Sequence, residues 1–434
     1  MLAMVLEELM LLMGAAGVLA ASGATRLRQH HRALRRMAAT LQLSGQGPRV
    51  LILSASIGGG HNAAAAVLRA ELEQAGYSVA VLDGFASATP LLSRYFAWSY
   101  PVQLRYTPWL YDWEFWSSHR RLFAKMWRRI YATMSGEAFR TLVELLQPQL
   151  VISTYPLVTQ ALGVLRRKGI LQIPAVAVIT DYGVHRLWTA PGIDLHLVPS
   201  RVSAAQIDEA TGSVRIMRPL VRAAFLEPRD RELLRQRYGF APKEFVALIV
   251  AGAWGIGRVE LIVRDVVACG VRTVVVCGRN RELATRLQRE YAGHPAVWIL
   301  GWTDELPELM AAADCLVQNA GGLTCLEAIA SRLPIIMYRP ITGHGVFNAL
   351  TMERAGVARW IRSSAELRDV LSRAANGSVP LPVPRIDEEA VPAIAAILEL
   401  LDGHTQHSRP TVGQSEMVLS GEKHVMLGSD GHRW

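Results

Sequence analysis

The feature that most constrains the fold is a repeated order in which a short apolar run ends in a turn and a helical pattern follows. Residues 50–55 form such a run, glycines 58–60 follow it, and the Ala-rich segment 62–76 has helical periodicity. Similar short runs occur at 78–82, 150–153, 175–180, 245–250, 273–277, 297–300, 315–317 and 335–338. Strands that alternate with helices predict an α/β fold with parallel sheets covered on both faces.

The runs fall into two series, and a chain of 434 residues is long enough for two domains. We predict two Rossmann-like domains over residues 48–218 and 230–401, joined by a linker at 219–229. Residues 1–47 form an apolar and basic leader that precedes them. Residues 402–434 are rich in Gly, Ser and His without periodicity, and we expect a disordered tail there.

The leader contains an uncharged run, LMLLMGAAGVLAASGAT, over residues 9–25, which is near the lower length limit of a membrane-spanning helix. Glu7 and Glu8 precede the run, and arginines follow it between 26 and 36. This order is opposite to that of a cleaved signal peptide, and the positive-inside rule keeps the rest of the chain cytoplasmic. A signal anchor, an amphipathic surface helix and a helix packed on the body all stay open. We therefore expect a protein on the cytoplasmic face of the cell membrane, either peripheral or anchored at its amino terminus.

An insertion over residues 95–139 has a different composition. It holds 14 of the 31 aromatic residues in the chain, interleaved with arginines and a lysine. Because Trp and Tyr favour the membrane interface and arginine pairs with lipid phosphates, this composition predicts contact with an anionic membrane surface. Packing of the aromatic rings on the domain core is the alternative. The sequence contains no recognisable module for binding single strands, and we predict no nucleic-acid partner.

Several candidate site residues follow predicted strands of the first series. Gly59, Gly60 and His61 begin the helix after the first strand, but the turn lacks the GxGxxG spacing of a dinucleotide site. His61 is either a residue that only begins the helix or a catalytic one. Asp181 and His185 follow the strand at 175–180, at the sheet edge where open α/β sheets bind ligands.

The second series contains a glycine turn with a clear chemical logic, NAGGLTCLEA at residues 319–328. Gly321 and Gly322 can present backbone N–H groups to a diphosphate at the start of a helix. Thr324 adds a hydroxyl group. Glu327, one turn further along, can accept hydrogen bonds from both hydroxyls of a ribose. The four cysteines form no CxxC pair, and the sequence predicts neither a disulfide scaffold nor a metal site.

Four segments in chain order, SASIGGGH, TDYGVHRLW, NAGGLTCLEA and PITGHGVFN, resemble the monogalactosyldiacylglycerol synthase and processive diacylglycerol glucosyltransferase family. The likeness covers about residues 48–375 and extends more distantly to the peptidoglycan lipid-intermediate N-acetylglucosaminyltransferase. It implies a GT-B fold, in which two Rossmann-like domains face a cleft. It also implies a UDP-sugar donor in the carboxyl half, a diacylglycerol-like lipid acceptor in the amino half, no cofactor, and metal-independent inversion at the anomeric carbon.

The resemblance also implies roles for individual residues. Gly59, Gly60 and His61 fall on the acceptor-side loop, and Asp181 and His185 fall on the cleft wall. The positions that bind the donor are Gly252, Trp254, Arg279, Trp302, Thr303, Gly321, Gly322, Thr324, Glu327, His344 and Asn348. Among these, Trp302 and Thr303 match the stretch that reads uracil, and Asn348 matches an asparagine that contacts the sugar.

Two positions depart from the family pattern. Asn319-Ala320 stands where the family commonly has Lys-Pro, and Gly343-His344-Gly345 stands where it has Gly-Gln-Glu. Both departures touch the sugar end of the donor site. Galactose, glucose and N-acetylglucosamine therefore all stay open as the transferred sugar.

The expected mechanism is direct displacement, in which the acceptor hydroxyl attacks the anomeric carbon while the nucleoside diphosphate leaves. Helix amino-termini, helped by Arg258 or Arg279, would stabilise the charge on the leaving group. The base would be His61 or Asp181, and the sequence does not order them. A transferase of the same fold with a soluble acceptor and a sugar-nucleotide epimerase are the alternative functions.

Overall fold

The structure is a computed structural model that describes residues 32–39, 47–207 and 212–407. These residues form two sheets of six parallel strands each, as the alternating pattern predicted. The strands of the first sheet are β1 (Arg49–Ser54), β2 (Ser78–Asp83), β3 (Leu150–Ser153), β4 (Ala175–Val178), β5 (Leu195–Val198) and β6 (Ser213–Ile216). Those of the second are β7 (Val246–Val250), β8 (Arg272–Val276), β9 (Val297–Leu300), β10 (Cys315–Gln318), β11 (Ile335–Tyr338) and β12 (Arg359–Ile361).

The two sheets have related topologies. The first has the order β2-β1-β3-β4-β5-β6, and the second has the order β12-β11-β10-β7-β8-β9. In register, Leu51 of β1 lies between Ala80 of β2 and Val151 of β3, and Ile249 of β7 lies between Val275 of β8 and Val317 of β10. Central strands such as β1 and β7 are apolar and buried because helices cover both faces of each sheet.

Strands β5, β6 and β12 were absent from the sequence prediction. Strand β6 (SVRI) is a partly exposed edge strand, and β12 (RWI) has only three residues, so neither forms a buried apolar run. Strand β5 (LHLV) is fully buried but contains His196 in its middle. The polar residue interrupts the apolar run, so the hydrophobicity of the sequence does not indicate a strand there.

A short helix spans residues 32–39, and Leu34 on it is buried in the core of the amino-terminal domain. The other α-helices are α1 (Gly60–Gln74), α2 (Gly84–Ala88), α3 (Pro90–Tyr106), α4 (Pro108–Ser118), α5 (Arg121–Leu146), α6 (Pro156–Arg167), α7 (Arg201–Ala204), α8 (Arg231–Arg237), α9 (Val259–Val267), α10 (Arg281–Glu290), α11 (Leu306–Ala312), α12 (Leu323–Ala330), α13 (His344–Arg354), α14 (Ser364–Ala375) and α15 (Ala393–His407).

The predicted insertion is helical and continuous with its surroundings. Helices α3, α4 and α5 lie between β2 and β3 and contain all of residues 95–139 except 107, 119 and 120. Tyr131 and Phe139 of α5 are buried against the first sheet, whereas Trp98 and Trp109 are 65% and 57% exposed. Part of the aromatic cluster therefore packs on the core, as the alternative interpretation expected, and another part faces outward; contact of that outer part with an anionic membrane stays a prediction.

The end of the chain returns to the amino-terminal domain. Val391 pairs in parallel with Met217, and Ile397 of α15 packs in the same core cluster as Leu68 of α1. This differs from the predicted donor domain of 230–401, because the apolar face of α15 covers the first sheet and not the second. The predicted tail begins within α15, and residues 408–434 lie outside the described residues.

Within the residues that the structure describes, no helix is both long enough and apolar enough to cross a membrane. The apolar run at 9–25 lies outside the described residues. The three alternatives for that run, and the signal anchor among them, stay predictions.

A candidate active site between the two domains

The two domains face each other across a cavity of about 1650 Å³. Its walls are helices of the insertion and the loops that follow the carboxyl ends of β1, β3 and β4 in one domain and of β7, β8, β9 and β10 in the other. These are the edges at which open parallel sheets bind ligands. Most of the predicted site residues line this cavity: Gly59, Gly60, His61, Asp181, His185, Gly252, Trp302, Thr303, Gly322, Thr324, Glu327 and His344.

His61 lies in the first turn of α1, with its ring between two aromatic side chains. Ring centroids are 5.2 Å from Tyr155 and 5.7 Å from Trp188. The Nδ1 atom is buried and has no hydrogen-bond partner among the described residues. Burial lowers the pKa of His61, and the negative charge of Asp181 partly opposes this effect. A neutral imidazole with an unpaired ring nitrogen at a cavity wall can accept a proton.

Asp181 is held in a fixed orientation at the end of β4. Its Oδ2 atom accepts a hydrogen bond from Trp188 Nε1 at 3.3 Å, and its Oδ1 atom accepts one from Asn348 Nδ2 at 3.2 Å. The charge of Asp181 favours the protonated forms of both His61 and His344. The negative charge of Asp181 therefore opposes the lowering of the pKa of one histidine from each domain.

Asn348 lies on α13 and connects the two domains. Its Oδ1 atom accepts a hydrogen bond from the backbone N–H of Gly183 at 2.8 Å. Its Nδ2 group donates to Asp181 and to the carbonyl oxygen of Ala320 at 3.0 Å. Both amide hydrogens are thus engaged. Asn348 therefore bridges the domain interface, and its expected contact with the sugar stays a prediction.

Both ring nitrogens of His185 form hydrogen bonds within the amino-terminal domain. Its Nδ1 atom accepts a hydrogen bond from the backbone N–H of Leu187 at 3.2 Å, so its Nε2 atom carries the proton and donates to the carbonyl oxygen of Phe115 at 3.0 Å. Burial lowers the pKa of His185 to about 3. This neutral histidine joins the loop after β4 to the insertion helix α4.

The glycines at the start of α1 allow the two domains to approach each other. A Cβ atom on Gly59 would lie 3.0 Å from the Cβ atom of Ala253, and one on Gly60 would lie 3.6 Å from the Cβ atom of Leu323. Both neighbours belong to the donor-side loops. A side chain at 59 would therefore crowd Ala253, whereas a Cβ atom at 60 would make an ordinary van der Waals contact.

The predicted diphosphate loop surrounds the start of α12. Gly321 has a φ of +80°, and a Cβ atom there would lie 2.6 Å from the Cβ atom of Asn348, so only glycine fits. A Cβ atom on Gly322 would lie 3.8 Å from Asp181 Oδ1, which shows that this loop faces the amino-terminal domain. Gly322 and Thr324 line the cavity, as an anion site at a helix amino-terminus requires.

Glu327 is buried on α12 and lines the same cavity. Burial raises the pKa of its carboxyl to about 7, while the positive charge of Arg222 acts in the opposite direction. The carboxylate and the diphosphate loop are one turn apart on the helix. Glu327 is therefore placed to accept hydrogen bonds from a ribose whose diphosphate rests on the glycine loop.

Arg222 is a cavity residue that the sequence did not single out. The described residues that line the cavity include no other arginine and no lysine. The predicted helpers lie elsewhere: Arg258 is exposed outside the lining, and the guanidinium carbon of Arg279 stacks on Trp302 at 4.7 Å from the ring centroid, beside a neighbouring pocket. Arg222 belongs to the linker between the domains, where no motif signals a function.

Trp254 lies outside the cavity lining. Its carbonyl oxygen accepts a hydrogen bond from Asn280 Nδ2 at 3.3 Å, and its ring centroid is 6.2 Å from that of Tyr100. Trp254 therefore connects the loop after β7 to the loop after β8 and to the insertion helix α3.

Gly252 and Gly278 pack so closely that a Cβ atom on Gly278 would lie 2.1 Å from the Gly252 carbonyl oxygen. Within the part of the chain that the structure describes, no group of three or more His, Cys, Asp or Glu could hold a metal ion.

Residues 61–212 match the family model of monogalactosyldiacylglycerol (MGDG) synthase. The chain is 29% identical over 330 residues to a processive diacylglycerol beta-glucosyltransferase of Bacillus licheniformis, an alignment covering 74% of this chain and 85% of that protein. It is 28% identical over 329 residues to the protein of the same name in Bacillus cereus, covering 74% and 84%. These matches confirm the predicted resemblance.

Solved structures show the same architecture. MurG of Acinetobacter baumannii matches with a TM-score of 0.52 at 16% identity, covering 82% of this chain and 99% of that one. Sucrose-phosphate synthase of Thermosynechococcus elongatus matches with a TM-score of 0.50 at 15% identity, covering 83% and 99%. The predicted GT-B fold, with two Rossmann-like domains facing a cleft, is confirmed.

Proposed function

We propose that this chain, a UDP-sugar-dependent hexosyltransferase related to the monogalactosyldiacylglycerol synthases and processive diacylglycerol glucosyltransferases, moves a hexose to a diacylglycerol-like lipid at the cytoplasmic membrane face. The transfer inverts the configuration at the anomeric carbon. It uses no bound cofactor and no metal, and UDP-sugar is the donor substrate. One observation carries the proposal: His61 and Glu327 line the same cavity from opposite domains, and apolar side chains of the insertion helices line it beside them.

The donor occupies the carboxyl-terminal side of the cavity. Its diphosphate lies at the start of α12, its ribose at Glu327, and its uracil beside Trp302 and Thr303. The backbone N–H groups and the helix dipole stabilise the two charges that develop on UDP as it leaves. Arg222 supplies the guanidinium charge that was expected from Arg258 or Arg279.

The acceptor hydroxyl approaches from the amino-terminal side and attacks the anomeric carbon. His61 accepts the proton of that hydroxyl, and Asp181 stabilises the imidazolium that forms. The geometry supports this assignment, because the two oxygens of Asp181 already accept hydrogen bonds from Trp188 and Asn348, whereas Nδ1 of His61 has no partner among the described residues. The oxygen of the acceptor and the anomeric carbon form the new bond as the bond to UDP breaks.

The acceptor side of the cavity suits a lipid. Apolar side chains from helices α3 and α5 line it: Leu91, Phe96, Phe123, Met126, Ile130 and Met134. Such a wall offers little to a polar soluble acceptor and buries acyl chains favourably. This lining favours the lipid acceptor over the soluble one.

The outer surface of the insertion is the proposed contact with the anionic membrane. Trp98, Tyr106 and Trp109 are 65%, 69% and 57% exposed, and Leu122 is 76% exposed. Basic residues of the same insertion, including exposed Arg121 and Lys125, can pair with lipid phosphates. Helices α3 and α5 thus contribute both to the apolar wall and to the proposed membrane contact.

A product assay tests the function. Purified protein is incubated with UDP-glucose, UDP-galactose or UDP-N-acetylglucosamine and with vesicles that contain diacylglycerol, and free UDP and extractable glycolipid are both measured. We expect UDP release together with one new glycolipid whose anomeric configuration, measured by NMR, is opposite to that of the donor. A sugar nucleotide that is converted without a glycolipid would instead indicate an epimerase, and a water-soluble glycoside would indicate a soluble acceptor.

A further inference from the structure

The acceptor-side insertion reaches across the cleft and contacts the donor domain at the loop before α13. Residues 342–344 of this loop follow β11, and His344 lines the cavity. The contact is made by helix α4 and one residue of α3. It differs from the other domain contacts because it joins the insertion to the sugar end of the donor site.

Asp112 of α4 makes the polar part of the contact. A single oxygen, Oδ1, accepts a hydrogen bond from Thr342 Oγ1 at 2.7 Å and another from the backbone N–H of Gly343 at 3.0 Å. Gly343 is the residue that precedes helix α13, and α13 has no side-chain cap from its own N-cap residue. A carboxylate at a helix amino-terminus is favourable because it faces the positive end of the helix dipole. Asp112 therefore caps α13 from the other domain.

Two tyrosines of the insertion hold His344. The hydroxyl of Tyr111 lies 3.1 Å from Nδ1 of His344, and the hydroxyl of Tyr100 lies 3.4 Å from Nε2. Both ring nitrogens are thus engaged by the amino-terminal domain. The imidazole plane is fixed at the cavity wall between the insertion and the donor loop.

The packing around Gly343 leaves little room for a side chain. Gly343 has a φ of +67°, and a Cβ atom there would lie 3.0 Å from Tyr111 Cε1 and 3.0 Å from Phe115 Cβ. A side chain at 343 would therefore combine an unfavourable conformation with a clash. The insertion therefore packs closely against the loop at Gly343.

We propose that Asp112 is a positioning residue for the sugar end of the donor site, and that it acts by holding the 342–344 loop against the insertion. This inference rests on the proposed function, because it assumes that a UDP-hexose occupies the cavity with its sugar near His344. Asp112 itself does not line the cavity. It acts on the hexosyl group and not on the nucleotide, whose ribose and diphosphate positions lie on α12.

The test compares UDP with UDP-hexose binding by calorimetry in the full chain. For Asp112→Ala we expect affinity for the UDP-hexose that the wild type prefers to fall about tenfold, as the loss of two hydrogen bonds to a charged acceptor suggests, with UDP affinity within about twofold of wild type. Asp112→Asn should restore most of the loss, since an amide oxygen can accept both hydrogen bonds. Thr342→Val removes one of the two bonds and should cost less.

Glu137→Ala is the matched control, because Glu137 is an acidic residue of the same insertion that pairs with Arg140 on its own helix. It should bind UDP and UDP-hexose as the wild type does. Equal UDP-hexose affinity in wild type and Asp112→Ala would overturn the inference, and so would an equal loss of UDP affinity, which would indicate general damage to the fold. A wild-type protein that binds UDP-hexose but makes no glycolipid would contradict the proposed function alone.

Discussion

The nucleotide end of the cleft and the insertion that covers its acceptor end are built in different ways. At the nucleotide end, the loop and helix that carry Gly322, Thr324 and Glu327 are consecutive in sequence, and the proposed binding groups are backbone N–H groups and one carboxylate. In the insertion, contacts depend on side chains that are far apart in sequence: Asp112 of α4 accepts a hydrogen bond from Thr342, which lies on a loop of the other domain.

This difference teaches which functions a local sequence pattern can specify. A phosphate site needs only a glycine turn at the start of a helix, so its geometry is written in a few consecutive residues. The insertion has no equivalent pattern, since its role depends on which faces of α3, α4 and α5 pack inward. The two ends should accordingly respond to different substitutions, one set changing nucleotide affinity and the other changing turnover or lipid contact.

The largest expected effect separates chemistry from nucleotide binding. His61→Ala should lower turnover about 100-fold or more, because it removes the base that accepts the acceptor proton. UDP affinity should change little, since His61 belongs to the amino-terminal domain. Steady-state kinetics at saturating acceptor and UDP calorimetry make the comparison. Turnover that stays at the wild-type level would leave His61 as a residue that only begins α1.

The next effect concerns the nucleotide end. Glu327→Ala should cost about 1.5–3 kcal/mol of UDP binding, through the loss of charged hydrogen bonds to the ribose. Glu327→Gln keeps the shape of the side chain and serves as the matched variant without charge. If calorimetry gives the same UDP affinity for Glu327→Ala and wild type, the donor site is assigned to the wrong residue.

Glu327 also predicts a pH dependence. Since burial raises its pKa from 4.5 to about 7, the carboxyl is increasingly protonated below pH 7. UDP affinity of the wild type should therefore rise with pH through 7, and that of Glu327→Gln should not.

The stability of the free protein should instead fall as the pH rises. Because the pKa of Glu327 is raised in the folded state, its contribution to stability is full below pH 4.5 and is lost as pH rises through about 7. Thermal unfolding of Glu327→Gln should show a smaller fall over this range.

The smallest effect tests the outer surface of the insertion. Trp109→Ser should weaken binding to vesicles that contain anionic lipid about three- to tenfold, because an exposed indole no longer enters the interface. Trp302→Ser is the matched control, since Trp302 is a tryptophan of the donor domain with the same 57% exposure. Sedimentation with vesicles at low and high salt measures both variants. Equal losses for the two variants would remove the insertion from the membrane contact.

Much of the fold was predictable because nine of the twelve strands are apolar runs in alternation with helices. The other three, β5, β6 and β12, carry a polar residue, lie partly exposed at an edge or are very short. The return of α15 to the first domain was not predictable, since an amphipathic helix does not specify which sheet it covers.

The candidate site also contains residues that a local sequence pattern predicts and residues that only the fold brings together. Gly321, Gly322 and Glu327 could be found from consecutive residues, and the structure brings them to the cleft. Arg222 and Asp112 could not, because a lone charged residue gives no signal until its neighbours in space are known. The hydrogen bonds of Asn348 could not be predicted for the same reason: its partners Gly183 and Asp181 come from the other domain.

A crystal structure of the full chain with UDP tests the central claim most directly. We expect the ribose hydroxyls within hydrogen-bond distance of the Glu327 carboxylate and the diphosphate at the backbone N–H groups that begin α12, with the uracil beside Trp302 and Thr303. His61 should face the open side of the β-phosphate, across the cavity. A nucleotide bound instead at the Gly58–His61 turn, with the α12 loop empty, would contradict the assignment of donor and acceptor to the two domains.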